Sequence, residues 1–340
     1  MWAEDLRVLD RITLPELEAT LDKHTREMIR VNQWTAFSWS ISRHNLFARC
    51  KRQYYLNYYG SRRVREANNK VVSAVWWLKQ VTPLKTWIGS VIHHIAQKAV
   101  QAHRDGQAVK RDDLVEQASR YYREGVLASE RGAKHDGRWI VLQEHVYPGD
   151  SFSVDRDEAE RQVVDLAHTF YESDAYGFIR NWPPDALREV DEPFQSFELT
   201  GAPILDRVQV FAIPDVLLYD GDSIYIIDWK TGEVTGEGIR NQAGIYRLYA
   251  HLAYGLPEES IQVSISSLRE GGASVEPPGG TPTVKEARTF AYRSIGAMVR
   301  LMENVEYNTV SIADFPRADQ LELCQDCGFK RVCWRHEGVV

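Results

Sequence analysis

Asp215 and the run Ile227-Asp228-Trp229-Lys230-Thr231-Gly232 put two carboxylates and an ammonium within reach of one site. Paired carboxylates suit a hard cation such as Mg²⁺, which takes oxygen ligands and keeps several waters, one of which can become a nucleophile. A lysine beside them can stabilise charge developing on a phosphate, or help to deprotonate an attacking water. Alone, Asp-x-Lys describes an exposed charge pair on a surface hairpin just as well. The elements that carry these residues therefore decide between the two.

Val208–Tyr219 and Ser223–Lys230 are rich in Val, Ile, Phe, Leu and Tyr, as strands are. Asp220-Gly221 between them is the strongest short-range signal for a two-residue hairpin turn. With that turn, Tyr219 faces Asp222 and Asp215 lies opposite Ile226. Side chains two apart share a strand face, so Asp215, Asp228 and Lys230 point one way and Trp229 the other. The two aspartates become diagonal neighbours about 7–8 Å apart at the backbone, close enough to share a cation. A three-residue loop would break this parity.

Cysteine usage gives a second constellation. The chain has four cysteines, Cys50, Cys324, Cys327 and Cys333, and three of them fall within ten residues. Cys324-x-x-Cys327 followed by Cys333 is a compact metal-binding spacing, with Cys50 as the fourth ligand. Thiolates hold either an Fe–S cluster or Zn²⁺, and spacing alone does not choose.

In order along the chain come Gly89-Ser-Val-Ile-His93, Ala212-Ile-Pro-Asp215, Asp228-Trp-Lys230-Thr-Gly232 and Gln242-Ala-Gly-Ile-Tyr246. This series resembles the PD-(D/E)XK nuclease superfamily, in particular its RecB-like branch, over most of the chain. One departure is Ala212, where the family often has Gly. The resemblance implies an α/β fold: a restriction-endonuclease-like core with a mixed β-sheet flanked by helices, plus helical N-terminal and Fe–S-bearing C-terminal segments. It implies a metal-dependent nuclease, an exonuclease on single-stranded DNA or DNA ends. His93, Asp215, Asp228 and the Trp229 carbonyl would hold Mg²⁺ or Mn²⁺, and Lys230 would stabilise the transition state. Gln242 would orient the lysine or the substrate backbone, and Tyr246 would pack or touch DNA. One cysteine before the core and three after it resemble AddB-type and CRISPR-adaptation exonucleases, which implies a 4Fe-4S cluster on Cys50, Cys324, Cys327 and Cys333. Phe37–Ser42 and Ala48–Tyr55 resemble the helix beside that cluster.

Each of these residues also has a plainer reading. A histidine in the apolar context Trp87–Gln97 is more often a core residue with one hydrogen bond; His94 is the alternative by position, and the Gly89 spacing selects His93. Imidazole accepts Mn²⁺ more readily than Mg²⁺ does. Gln242 and Tyr246 are four apart and share a helix face, but Tyr246, Tyr249 and Leu252 fit a core-facing stripe too. Glu192 is a further candidate acid, with Asp191 and Glu189 as competitors that strand parity does not separate.

Composition narrows the class. The 340 residues (39.1 kDa, 44% hydrophobic) suffice for one large domain or two small ones. We expect a single nuclease domain over 1–340, with cluster-forming segments at 32–60 and 310–340, a helical wall at 95–180 and a catalytic sheet core at 186–270. No run of eighteen apolar residues occurs, and Met1-Trp-Ala-Glu-Asp5 opens on acids. No transmembrane helix, membrane partner or signal peptide is therefore expected, and the cytoplasm is the expected compartment. A P-loop is absent from the sequence, so a helicase motor, or another repair or CRISPR partner, would be a separate polypeptide. A nucleic-acid-binding subunit whose cleavage is gated by such a partner is the alternative reading, and a zinc-stapled binding protein without catalysis is a third.

The net charge of −7 argues weakly against generic nucleic-acid binding, but the charge is uneven. Residues 40–70 carry Arg43, Arg49, Lys51, Arg52, Arg62, Arg63, Arg65 and Lys70 against the single acid Glu66. Tyr54, Tyr55, Tyr58 and Tyr59 are interleaved with them, a pattern that grips single strands or else buries tyrosines beneath a solvated basic face. Helices are expected near 14–30, 40–58, 84–104, 112–130, 156–180, 238–254 and 283–304. Strands are expected near 188–199, 206–219, 223–230 and 260–269, and Gly271–Pro282 reads as a loop.

Overall fold

The structure is a computed structural model that describes residues 2–30, 35–62, 69–148, 155–192, 194–232, 236–277 and 279–333. Parts of both expected cluster-forming segments (32–34 and 334–340) and the basic residues Arg63 and Arg65, with Glu66, lie outside the described residues.

Eight strands matter for the site: β1 (Ser38–Ser40), β2 (Leu187–Val190), β3 (Ser196–Thr200), β4 (Arg207–Phe211), β5 (Val216–Tyr219), β6 (Ile224–Lys230), β7 (Ile261–Ser267) and β8 (Ala273–Val275). A five-stranded sheet runs β8-β7-β6-β5-β2, in which β6 and β7 are parallel and the remaining pairs antiparallel. A second sheet, β1-β4-β3, joins an N-terminal strand to the central hairpin β3–β4. The mixed sheet is the expected one. Its split from the second sheet at residues 212–215 has a local cause: Pro214 has no N–H to give a ladder, so one long strand becomes β4 and β5.

Helices cover both faces, so the central strands are apolar on both sides. On one face Ile224, Ile226 and Leu217 join the larger core with α8 (Glu237–Tyr254), the crossover from β6 to its parallel neighbour β7. On the other face Ile227, Trp229, Val216 and Leu218 pack in a second core. That core is built on α5 (Leu84–Arg104), α6 (Arg111–Arg131) and α7 (Arg156–Glu172). Among the described residues no helix is long and apolar enough to cross a membrane.

The expected helix at 14–30 forms as α1 (Leu14–Arg30), whereas the one at 40–58 is interrupted. α2 (Ile41–Arg49) stops at Cys50, whose extended backbone (φ −158°) starts α3 (Lys51–Tyr55) and whose sulfur accepts from the Gln53 N–H at 3.4 Å. α3 runs on into a wider turn over Leu56–Gly60. β1 and α4 (Lys70–Lys79) are not expected from the sequence, and β8 lies inside the stretch 271–282 that reads as a loop, where it pairs with Ile265–Ser267 of β7. A last long helix, α9 (Val284–Val299), starts with a capping box between Thr283 and Glu286 and packs on α8.

Candidate active site

The hairpin that carries the two aspartates differs from the expected register. Tyr219 pairs with Ile224 and Leu217 with Ile226, so the loop is the four residues Asp220–Ser223 rather than Asp220-Gly221 alone. The Asp220 carboxylate accepts the Asp222 and Ser223 N–H groups at 2.9 and 2.7 Å, which stabilises the longer turn. The slip is two residues, so facing is preserved. Continued one pair beyond the ladder, the register sets Asp215 opposite Asp228 itself instead of Ile226.

Asp215 sits just before β5, and its carboxylate has a fixed orientation. Oδ2 accepts the backbone N–H of Trp229 at 2.7 Å, and Oδ1 lies 3.0 Å from His93 Nδ1. His93 comes from α5, on the opposite side of the sheet from α8. Its contact with Asp215 tells it apart from His94, which stacks on Tyr121 instead (ring centroids 4.0 Å). Gly89 has a steric reason to be Gly: a Cβ there would stand 2.9 Å from Thr231 Oγ1. The close approach of α5 to the end of β6 thus ties the Gly-x-x-x-His segment to Asp-x-Lys-Thr.

Asp228 is buried. Its Oδ1 faces Tyr246 OH (2.9 Å) and Gln242 Nε2 (3.3 Å), both on α8, and its Oδ2 lies 2.6 Å from Lys230 Nζ. That oxygen has ionic contact but no hydrogen bond of good geometry. Gln242 also donates to Tyr246 OH at 2.8 Å. Its partners are therefore Asp228 and Tyr246 rather than the lysine that the resemblance would have it orient. Trp229 turns its ring into the second core, edge-on to Phe170, as strand alternation requires.

Electrostatics separate the two carboxyls. Burial works to raise Asp215, but the His93 charge and hydrogen bond, the Trp229 N–H and Lys230 outweigh it and hold the group below the usual carboxylate range. Asp228 is pushed up by burial and by the negative charge of Asp215, against the pull of Lys230. His93 is raised to about 9, chiefly by Asp215.

The competing acids separate clearly. Glu189 faces the larger core, where Tyr249 and Tyr254 donate to it at 2.5 and 2.7 Å. Glu192 pairs with Arg104. Asp191 is the one that lines the cleft: its backbone is left-handed (φ 47°), and its N–H donates to the Asp215 carbonyl at 3.0 Å. No sequence signal ranks it above its neighbours.

Beside them lies a cleft of about 1270 Å³, lined by His93, Asp191, Thr231 and Gly232 on the side of the aspartates and by Tyr121 and Arg138 opposite; Asp215, Asp228 and Lys230 stand behind this lining. Residues 38–334 match one family as a whole. The chain belongs to the PD-(D/E)XK nuclease superfamily. No curated protein matches it. Membership makes the chain a phosphodiester hydrolase by family, and PD-(D/E)XK nucleases typically use Mg²⁺ or Mn²⁺.

Among the described residues no three His, Cys, Asp or Glu groups stand in a ready metal-holding arrangement. The donor chemistry nevertheless fits a hard cation: two carboxylates and an imidazole meet, and one buried Asp228 oxygen lacks a hydrogen bond. The four cysteines also converge. Cys50, Cys324, Cys327 and Cys333 line one small pocket between α3 and the C-terminal segment. Burial pushes the Cys327 thiol up to about 12, and Cys333 is raised by the same cause. Neutral thiols are what that enclosure favours, and a metal would reverse this by stabilising thiolates.

The basic tyrosine-rich segment departs from the stacking reading. Tyr54, Tyr55 and Tyr59 are core residues, stacked and tilted against one another and Phe315. Of the four only Tyr58 is half-buried. Arg52 is likewise internal, paired with Glu18 at 2.5 Å and donating to the Phe315 carbonyl.

Proposed function

We propose that this protein is a metal-dependent deoxyribonuclease of the RecB-like branch, acting as an exonuclease on single-stranded DNA or DNA ends. The observation that carries the reading is the convergence of His93 from α5, Asp215 from just before β5, and Asp228 and Lys230 from β6, with His93 reaching the lining of a large cleft. His93, Asp215, Asp228 and the Trp229 carbonyl are the residues to hold Mg²⁺ or Mn²⁺. When bound, such a cation supplies Lewis acidity and a water acidic enough to attack phosphorus. The Lys230 ammonium, held by Asp228, is placed to balance negative charge developing on the phosphoryl oxygens. Tyr246 and Gln242 fix the Asp228 carboxylate from behind.

In the same reading, residues 1–340 form one nuclease domain, and Cys50, Cys324, Cys327 and Cys333 hold a 4Fe-4S cluster that staples the N-terminal helices to the C-terminal segment. Convergence of all four thiols on one pocket supports the ligand set; the choice of iron over zinc rests on the family resemblance. The test is degradation of end-labelled single-stranded and duplex DNA with Mg²⁺ or Mn²⁺, using protein purified without oxygen. Metal-dependent loss of label by the wild type and not by Asp228→Ala is expected. Equal cleavage by Asp228→Ala refutes the site, and no cleavage by cluster-loaded wild type moves the function to a partner-gated subunit.

A further inference from the structure

Arg43, Arg62 and Lys79 come together around two tyrosine rings. The Arg43 guanidinium lies 4.4 Å from the centre of the Tyr58 ring, and Lys79 Nζ lies 5.8 Å from the same ring. Arg62 covers Tyr59 at 4.5 Å. Their hydrogen bonds go to backbone carbonyls: Arg43 to Ser38 at 2.7 Å and Arg62 to Tyr58 at 2.5 Å. Among the described residues no carboxylate pairs with any of the three. Desolvation lowers Lys79 and Arg62, and Arg43 adds to the lowering in both. Aromatic faces offset only part of such repulsion. Three like charges held together without a counter-ion are costly as packing and useful as an anion receptor.

The neighbouring surface shows which anion. A pocket of about 290 Å³ beside the cluster is lined by Arg49, Lys79, Lys85, Gln53 and Asn57. Asp326, also in its lining, is paired with Lys85 at 2.5 Å, and among the described residues Arg49 and Lys79 have no carboxylate partner; Arg49 donates to the Leu323 carbonyl at 3.0 Å. Lys85 and Thr86 form the rim of this pocket and of the large cleft alike. Beyond that shared rim, whose Lys85 is already paired, Arg49 and Lys79 lead on to the Arg43 cluster. A row of positive charge leading away from a phosphodiester-cleaving centre fits successive phosphates of one chain.

We propose that Arg49, Lys79, Arg43 and Arg62 form a phosphate-binding track for the nucleic-acid backbone, several nucleotides away from the bond that is cut. The proposal rests on the nuclease reading and extends it to residues outside the catalytic set. It also gives the basic segment a role that its buried tyrosines do not supply.

The experiment is fluorescence anisotropy on full-length protein, with labelled single-stranded DNA of about six and about twenty-four nucleotides, lengths that bracket usual site sizes. Ca²⁺ replaces the activating metal, and salt is varied. Arg49→Gln/Lys79→Gln, both exposed positions, is compared with the charge-matched control Lys110→Gln/Lys285→Gln. The track variant should lose on the order of ten-fold affinity for the long strand. Its salt slope should fall by about 1.4, at roughly 0.7 for each phosphate no longer neutralised. The short strand and the control should change little. Wild-type-like length and salt dependence in a variant that melts normally overturns the track and leaves the nuclease reading intact. Competition with ATP and inorganic phosphate separates the sources: millimolar displacement supports a backbone track, and tighter binding of ATP than of the long strand overturns it. A wild type that binds no nucleic acid overturns the track and, if it also cuts none, the function it rests on.

Discussion

Removing one oxygen tests how far the candidate site depends on its support. The Tyr246 hydroxyl is buried, with Asp228 Oδ1, the Ile213 carbonyl and Gln242 Nε2 all within 3.0 Å. It carries one proton, so it donates to either Asp228 or Ile213 and accepts from Gln242. Tyr246→Phe keeps the ring and opens no sizeable cavity, so the cost is polar. One bond to a carboxylate is removed and the Gln242 amide loses the shorter of its two acceptors, about 2 kcal/mol in stability. Asp228 is then left with the 3.3 Å contact to Gln242 and the lysine. A less well held carboxylate should bind its cation more weakly, raising the metal needed for half-maximal cleavage roughly ten-fold. Thermal melting and a Mg²⁺ titration of single-strand cleavage read the two effects. A variant with wild-type melting and an unchanged metal midpoint refutes the idea that α8 supports the site through Tyr246.

Lys230→Ala should abolish cleavage while single-stranded DNA binding in Ca²⁺ persists, as measured by anisotropy; cleavage at wild-type rate would remove the lysine from the mechanism. Replacing Cys50, Cys324, Cys327 or Cys333 singly with Ala should lower melting temperature and iron content together, and iron that is unchanged in all four variants would rule out the cluster. Gly89→Ala should slow cleavage by pushing α5 away from the end of β6, and adding Thr231→Ala should restore it, because the clash is with the Thr231 hydroxyl. Failure of the second change to rescue the first would place the defect elsewhere.

The residues behind these predictions differ in how readily the sequence discloses them. Which face Asp215, Asp228 and Lys230 share is legible because facing depends only on parity, which a two-residue register error preserves. The turn itself is not, because the Asp220 side chain binds two backbone N–H groups and stabilises a longer loop than Asp-Gly alone predicts. α4 escapes a reading by periodicity since Val71, Val72, Ala74, Val75, Trp77 and Leu78 are all buried, and a helix that is apolar nearly all round has no stripe to find. Cys50 as a helix cap is equally hidden, since thiols are not among the usual capping groups. The tyrosines of 54–59 show the limit of composition: basic and aromatic residues in alternation describe a strand-binding face and a packed helix equally, and only burial separates them. Asp191 gives no periodic signal because its left-handed backbone takes it out of the strand pattern.

The packing of α3 against the far end of the chain sets an order of assembly. The Arg52 N–H donates to the Pro316 carbonyl, Tyr54 stacks on Phe315, and the Cys50 pocket is completed by Cys324, Cys327 and Cys333. During synthesis, residues 50–55 leave the ribosome long before residues 315–333 exist. The sheet, its crossover helix and the cleft are all made in the interval. The contacts of α3 with this C-terminal segment therefore form last, although α3 is translated early, whereas β1 and α2 already have β4, α8 and α9 to pack on. A ribosome stalled between residues 304 and 315 would carry a chain with its catalytic residues already synthesised and the α3 side of the cysteine pocket still open.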